Sequence, residues 1–354
     1  HPRVRRQRQM CIRDSQYDFG VENMTCFSDN KKRRICLQYI VTVVLMAFLC
    51  LCAGCSEEQK QAEKFGPNSY TVVDGVGNKL VFKEKPMRIV SMNISSDEML
   101  VGIVPIERIV SVTNYADDPG VSNVANEVKA VKNRVTADSI ELLLATCPDV
   151  VVVSDMFKSE AIKTLYEAGI NVYVFKSPKN YAEIKEQITG LAAMAGEPER
   201  GREMIAEMDA KLESIKEKVA DIGPDEMPRV MFMSPLGAYY APDSSFNDMC
   251  RLAHVTEATS LLGYKHACTL SQETIVQINP DSFVISDWNH DGKHPPEALV
   301  NELLSNESYK ITNAGKNKSI IVIPSSHMMT SSQYFVAGVE DCLLYTSPSP
   351  RDST

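Results

Sequence analysis

The 354-residue sequence is poor in the groups that do hard chemistry. It contains one tryptophan and six histidines and no HExxH; CxxC occurs only at Cys52–Cys55 and HxxxH only at His290–His294, so a dedicated zinc or manganese site is not expected. It has no P-loop, no GxSxG and no GxGxxG opening a helix, which removes the usual signatures of nucleotide enzymes and serine hydrolases. The GxG at Gly75 and Gly77 precedes a strand pattern and reads as turn chemistry. Cysteine is also sparse where a disulfide framework would need it. Beyond Cys55, residues 56–341 hold only Cys147, Cys250 and Cys268. Cys147 reads as a small core residue in an apolar helix, and Cys250 and Cys268 as either a pair or two buried thiols.

Both ends read differently from the middle. Residues 1–23, five of whose first fifteen are arginine, and the Ser/Pro-rich residues 342–354 resemble translated sequencing-adapter read-through and are set aside from the fold. From Met24 the order is Lys31-Lys32-Arg33-Arg34, an uncharged apolar stretch from Ile35 to Gly54, then Cys52-Ala53-Gly54-Cys55. A basic segment, an apolar segment and small residues before a cysteine form an export signal over 24–54, with Cys55 the expected lipidation site. Cys52 stands where a lipobox usually has Leu, and a retained membrane anchor is the alternative. Either way the body lies outside the cytoplasm, on the outer face of the cell membrane.

Four acidic and nine basic residues lie before Cys55 and one of each after Asp341, so residues 55–341 carry 41 acidic against 27 basic residues, net −14. Such a body is a poor match for nucleic acid or for broad adhesion to anionic lipid. Residues 55–69 are a polar tether. A β-hairpin is expected at 70–82, followed by strand–helix alternation to residue 196. Residues 197–222 form one long charged helix, with Met204, Met208, Leu212 and Ile215 on its apolar face. A second α/β series fills 223–341. The expected fold class is α/β, with two Rossmann-like lobes on mostly parallel sheets, joined by that single connecting helix.

The most informative pattern is a repeat. Ser139, Glu141, Pro148 and Asp149 recur at the same offsets as Ser271, Glu273, Pro280 and Asp281. Each copy is a helix opened by Ser and closed by Pro-Asp, followed by an apolar strand. Two copies, one in each half, indicate pseudo-symmetric lobes.

With these stretches, Lys85–Ser91, Ala168–Val172 and Tyr240–Leu252, the chain resembles the ABC solute-binding proteins for ferric siderophores, haem and cobalamin over residues 70–341. The resemblance implies ligand capture between two lobes, with no intrinsic cofactor and no catalysis. It implies a monomer that hands its ligand to an ABC permease and its cytoplasmic ATPase. Glu141 and Glu273 match the family's permease-docking glutamates. The expected ligand is a ferric siderophore or haem, with cobalamin as alternative; an extracellular sensor or adhesin, or a metal-dependent α/β enzyme, is the rival from another class.

Cleft residues should follow the strands at the carboxyl edge of each sheet. The first half offers Asn93, Tyr115, Arg134, Met156 and Phe157; the second offers Tyr239, Tyr240, Trp288, His290, His327 and Met328. Arg134 matches a ligand-contacting arginine of the hydroxamate binders, and its guanidinium suits anionic oxygens. Trp288 would wall a macrocycle, and the tyrosines or histidines could ligate iron or cobalt.

Overall fold

A computed structural model describes residues 66–345 except 137–139, 158, 236, 241–243, 265, 267, 290–291 and 294, without the side chains of Ser159, Tyr239, Tyr240 and Tyr345. These residues belong to one compact unit, Ala62–Thr354. The export segment, Cys55 and His290 therefore lie outside the described residues, as does most of the tether.

The hairpin pairs β1 (Tyr70–Val73) with β2 (Lys79–Phe82). Asp74 closes its turn: Oδ1 accepts from the backbone N of Val76 (3.0 Å) and Asn78 (2.8 Å). Gly77 supplies the left-handed backbone that a side chain would strain.

The first lobe then alternates β3 (Ile89–Ser91), α1 (Ile94–Ile103), β4 (Ile109–Thr113), β5 (Asn133–Val135), α2 (Ile140–Ala145), β6 (Val150–Ser154), α3 (Ser159–Glu167), β7 (Asn171–Phe175) and α4 (Tyr181–Met194). Its five strands run parallel in the order β5-β4-β3-β6-β7. Val150–Val153 are wholly buried because helices cover both faces of a parallel sheet.

Helix α5 (Pro198–Val219) joins the halves. It opens on a proline, whose missing N–H costs nothing at a first-turn position. It buries Met204, Met208, Leu212, Ile215 and Val219. Gly201 allows it to lie close on α4, since a Cβ there would come within 2.5 Å of the Ala192 Cβ.

The second lobe comprises β8 (Arg229–Ser234), β9 (Gly237–Tyr240), α6 (Ser245–Leu252), β10 (Thr256–Glu257), β11 (Cys268–Thr269), α7 (Gln272–Ile278), β12 (Ser282–Ser286), α8 (Pro296–Ser305) and β13 (Ile320–Ile323). Its main order is β11-β9-β8-β12-β13, with β10 also beside β8. Strands β8, β10, β12 and β13 pair in parallel, whereas β9 pairs antiparallel with β8 and β11. The fold is thus mixed α/β with a parallel sheet at the heart of each half.

The repeat reappears in the bonding. Asp149 Oδ2 accepts from the backbone N of Met87 (2.7 Å) and Arg88 (2.9 Å), and Asp281 Oδ2 accepts from that of Arg229 (2.9 Å). Arg88 donates to the carbonyls of Thr146 and Cys147 after α2; Arg229 donates to that of Ile278 at the end of α7. Cys147 and Asn279, at matching offsets, both adopt left-handed backbone (φ 46° and 51°). Each lobe therefore fastens helix end, Pro-Asp turn and first strand in the same way.

Two cysteine expectations are corrected. Cys147 is exposed in that left-handed turn and is not part of the core. Cys250 is buried beside the Cys342 thiol, while Cys268 sits half-buried on β11; all four described cysteines are free. Cys342, expected outside the fold, is 1% exposed.

Candidate functional site

The carboxyl edges of the two sheets meet at three sets of contacts. After β12, Trp288 donates its indole Nε1–H across to Asp118 Oδ2 (3.1 Å), on the segment after β4. Asp118 Oδ1 accepts from the Gly120 backbone N (2.8 Å), which holds the carboxylate in place. A Cβ at Gly120 would lie 2.6 Å from Trp288 Cδ1, so glycine is what lets the indole settle there.

The second contact is buried. Glu98 in α1 is 1% exposed. Its Oε1 accepts from Asn123 N (2.8 Å) and Nδ2 (2.9 Å), and its Oε2 accepts from Thr330 Oγ1 (2.8 Å) and Ser332 Oγ. Asn123 Nδ2 also reaches the Ser326 carbonyl (2.8 Å), and Gln333 Nε2 donates to the Glu98 carbonyl (2.7 Å). A buried carboxyl with four donors fixes geometry between the halves. Burial, partly offset by Ser332 and the other donors, raises its pKa above the usual carboxylate range. A third contact runs from Tyr181 N to Asp248 Oδ2 (2.8 Å), at the start of α4.

Beside Trp288, a cavity of about 320 Å³ opens at the carboxyl edge of the second sheet. Its walls come from the end of β8 (Phe232–Pro235), the end of β12, the first turns of α8, and Met328-Met329. The lining is dominated by apolar side chains, with Lys293 and Glu302 at its polar margin.

The structure gives several expected site residues other work. Asn93 caps α1, its side chain accepting from Ser95 N (2.9 Å) and Ser96 N (3.3 Å). Arg134 uses all five N–H donors inside its own lobe. Nε and Nη2 grip Asp117 (2.7 and 2.6 Å), Nη1 donates to the carbonyls of Val131 and Asn133, and Nη2 donates also to that of Val128. This pairing lowers the Asp117 pKa and raises that of Arg134. A ligand would have to break it to reach the guanidinium. His327 does not line the cavity; its Nδ1 meets Asp341 Oδ2 at 2.7 Å, and that carboxylate raises its pKa.

Tyr115 is half exposed in the turn Asn114–Asp117, and Met156 is exposed beside the half-buried Phe157. Tyr239 and Tyr240 lie on β9, without described side chains. Glu141 and Glu273 are exposed first-turn residues of α2 and α7. Among the described residues, only Trp288 and Met328 of the expected cleft residues line the cavity. Sequence reasoning did not single out Phe232, Met329 or Leu299. Their one signal was position after an expected strand or in a helix's first turns. Among the described residues, no three His, Cys, Asp or Glu side chains gather as a cation site, and no helix is long and apolar enough to cross a membrane.

Comparison with known proteins decides the family. The periplasmic binding protein model matches residues 89–327, two-thirds of the chain. The chain belongs to the periplasmic binding protein family. An uncharacterised ABC transporter substrate-binding lipoprotein, YvrC, of Bacillus subtilis (strain 168) is 26% identical over 261 residues, spanning 70% of this chain and 80% of that protein. A probable siderophore-binding lipoprotein of the same organism, YfiY, is 25% identical over 57% of this chain and 62% of its own length. A crystal structure of a possible iron-binding periplasmic solute-binding protein from Staphylococcus epidermidis ATCC 12228 superposes with TM-score 0.64 at 20% identity. That match covers 75% of this chain and all of the other. This periplasmic binding protein is a solute-binding protein and not an enzyme.

Proposed function

We propose that this periplasmic binding protein is lipid-anchored through Cys55 outside the cytoplasm, where it captures an iron complex and delivers it to an ABC importer permease. The iron complex is of ferric siderophore or haem type, with a corrinoid as the second reading. The observation that carries the proposal is the cavity at the carboxyl edge of the second sheet, walled by Trp288, whose indole reaches across to Asp118 of the first half. The names of the relatives, an ABC substrate-binding lipoprotein and a probable siderophore-binding lipoprotein, point the same way.

Glu141 and Glu273 are the permease contacts in this reading. Each is an exposed carboxylate at the same turn of a repeated helix, so the pair offers two like handles, one per lobe. Reversing both (Glu141→Lys with Glu273→Lys) should abolish uptake in cells while ligand affinity of the purified protein changes less than about twofold. Lost affinity would move the two residues from docking to binding.

The capture itself is tested by incubating the purified protein with a ferric siderophore, haem or cobalamin, and reading the visible spectrum and Trp288 fluorescence. At least one should bind saturably and quench the indole. No response to any of them would overturn the reading.

A further inference from the structure

The charge of the cargo follows from how the described cations and three helix starts at the facing edges are already used. We infer that the cleft takes a metal chelate of zero or positive net charge with an apolar rim, of trihydroxamate or corrinoid type, and excludes polyanionic catecholate, carboxylate and porphyrin chelates. This rests on the solute-capture reading above and narrows it.

The cavity supplies an apolar bed. Phe232, Met233, Trp288, Leu299, Met328 and Met329 offer aromatic and thioether surface, which suits the hydrocarbon edge of a chelate better than ionised oxygens. An anionic chelate would need donors, and those described here are committed. Arg134 has no N–H left over from Asp117 and its three carbonyls. Lys293 lines the cavity together with Glu302, so the pair adds no net positive charge.

Three helix starts at these edges are also closed to anions. The start of α1 is capped by Asn93, with Asp97 buried in its first turn and Glu98 buried just beyond it. At α8, Pro295 and Pro296 bring no N–H, and Glu297 occupies the first turn. At Ser325–Met328, the first backbone N–H is taken by Asp287 Oδ1 (2.8 Å).

Against these stand two carboxylates flanking Trp288, each hydrogen-bonded but without a cation partner among the described residues. Asp118 sits at the seam on the indole nitrogen, and Asp287 directly precedes Trp288 and is exposed. At a few ångströms and an intermediate dielectric, one carboxylate not paired with a cation shifts the affinity of a charged ligand by more than tenfold. The sign favours cations and penalises anions.

The experiment titrates the lipid-free mature chain, following Trp288 quenching and equilibrium dialysis. The probes are a monocationic ferric trihydroxamate, cobalamin, haem and a trianionic ferric tris-catecholate. The cationic trihydroxamate or the corrinoid should bind at least about tenfold tighter than either anion. Added salt should weaken the cation and leave the corrinoid nearly unchanged. Asp118→Asn, which keeps an acceptor for the indole, should reduce affinity for the cation by threefold or more and change that for the corrinoid less than twofold. Haem or the tris-catecholate binding as tightly as the best of the others would overturn the inference while leaving solute capture standing. An unchanged preference in Asp118→Asn would also overturn it. No binding by any probe would remove the capture reading itself, and this inference with it.

Discussion

The two edges that face each other across the seam are built from opposite materials. On the first lobe the edge is polar and tied down: Glu98 carries four donors, Asp97 is buried against Thr113, and Arg134 locks the loop through Asp117. On the second lobe the edge is apolar and hollow, with an open cavity walled by Trp288, methionines and prolines. The difference separates two jobs that a pseudo-symmetric pair could have shared. One edge fixes the geometry of the seam; the other keeps soft, adaptable surface for cargo.

Breaking the polar edge should have the largest consequence. Glu98→Ala removes an acceptor that serves donors from both halves, and should lower unfolding free energy by about 3 kcal/mol. Urea unfolding measures this. A loss under about 1 kcal/mol would mean that the buried network does not organise the seam.

Arg134 comes next. Replacing it by Gln strips the bidentate pair from Asp117 and frees three carbonyls of the preceding loop, at about 2 kcal/mol of stability. If affinity fell with stability untouched, Arg134 would be a ligand residue after all.

Asp97 sharpens the comparison with pH. Its carboxyl is wholly buried, and desolvation pushes its pKa up to about 7 from 3.8, against the hydrogen bonds from Thr113. The folded state therefore keeps a proton that the unfolded state gives up between about pH 4 and pH 7. Stability from this group is full below the unfolded value and falls as pH rises through the folded one. Asp97→Asn should remove that decline and leave the variant about 1 kcal/mol more stable than wild type at pH 8. Parallel pH profiles of the two proteins would contradict it.

Local features of this fold were legible in the sequence, and long-range uses of side chains were not. The repeat was readable because Ser, Glu, Pro and Asp act within a few residues of their own backbone. The bonds of Asp149 and Asp281 to their first strands repeat it atom by atom. The α5 helix was readable from its apolar stripe.

Arg134 could not be judged alone. Its partner Asp117 lies 17 residues away and meets it only once β4 and β5 pair. The contact of Glu98 with Thr330 spans 232 residues, so no local pattern announces it. Cys147 was misplaced because an apolar neighbourhood outweighed its position just before Pro-Asp, where the chain must leave the helix. The cavity had a further faint signal, consecutive prolines at the start of α8, which bring no N–H donors there.

The division of labour between the edges is tested most directly by filling the hollow one. Ala298 is exposed on α8 and lines the cavity, so Ala298→Arg inserts bulk there without disturbing the core. The measurement is a Trp288 fluorescence titration of wild type and variant with the chelate that wild type binds. Saturable quenching in wild type, weakened at least about tenfold in a variant of unchanged unfolding midpoint, is the expected result. Equal quenching in both would place the cargo elsewhere and contradict the account.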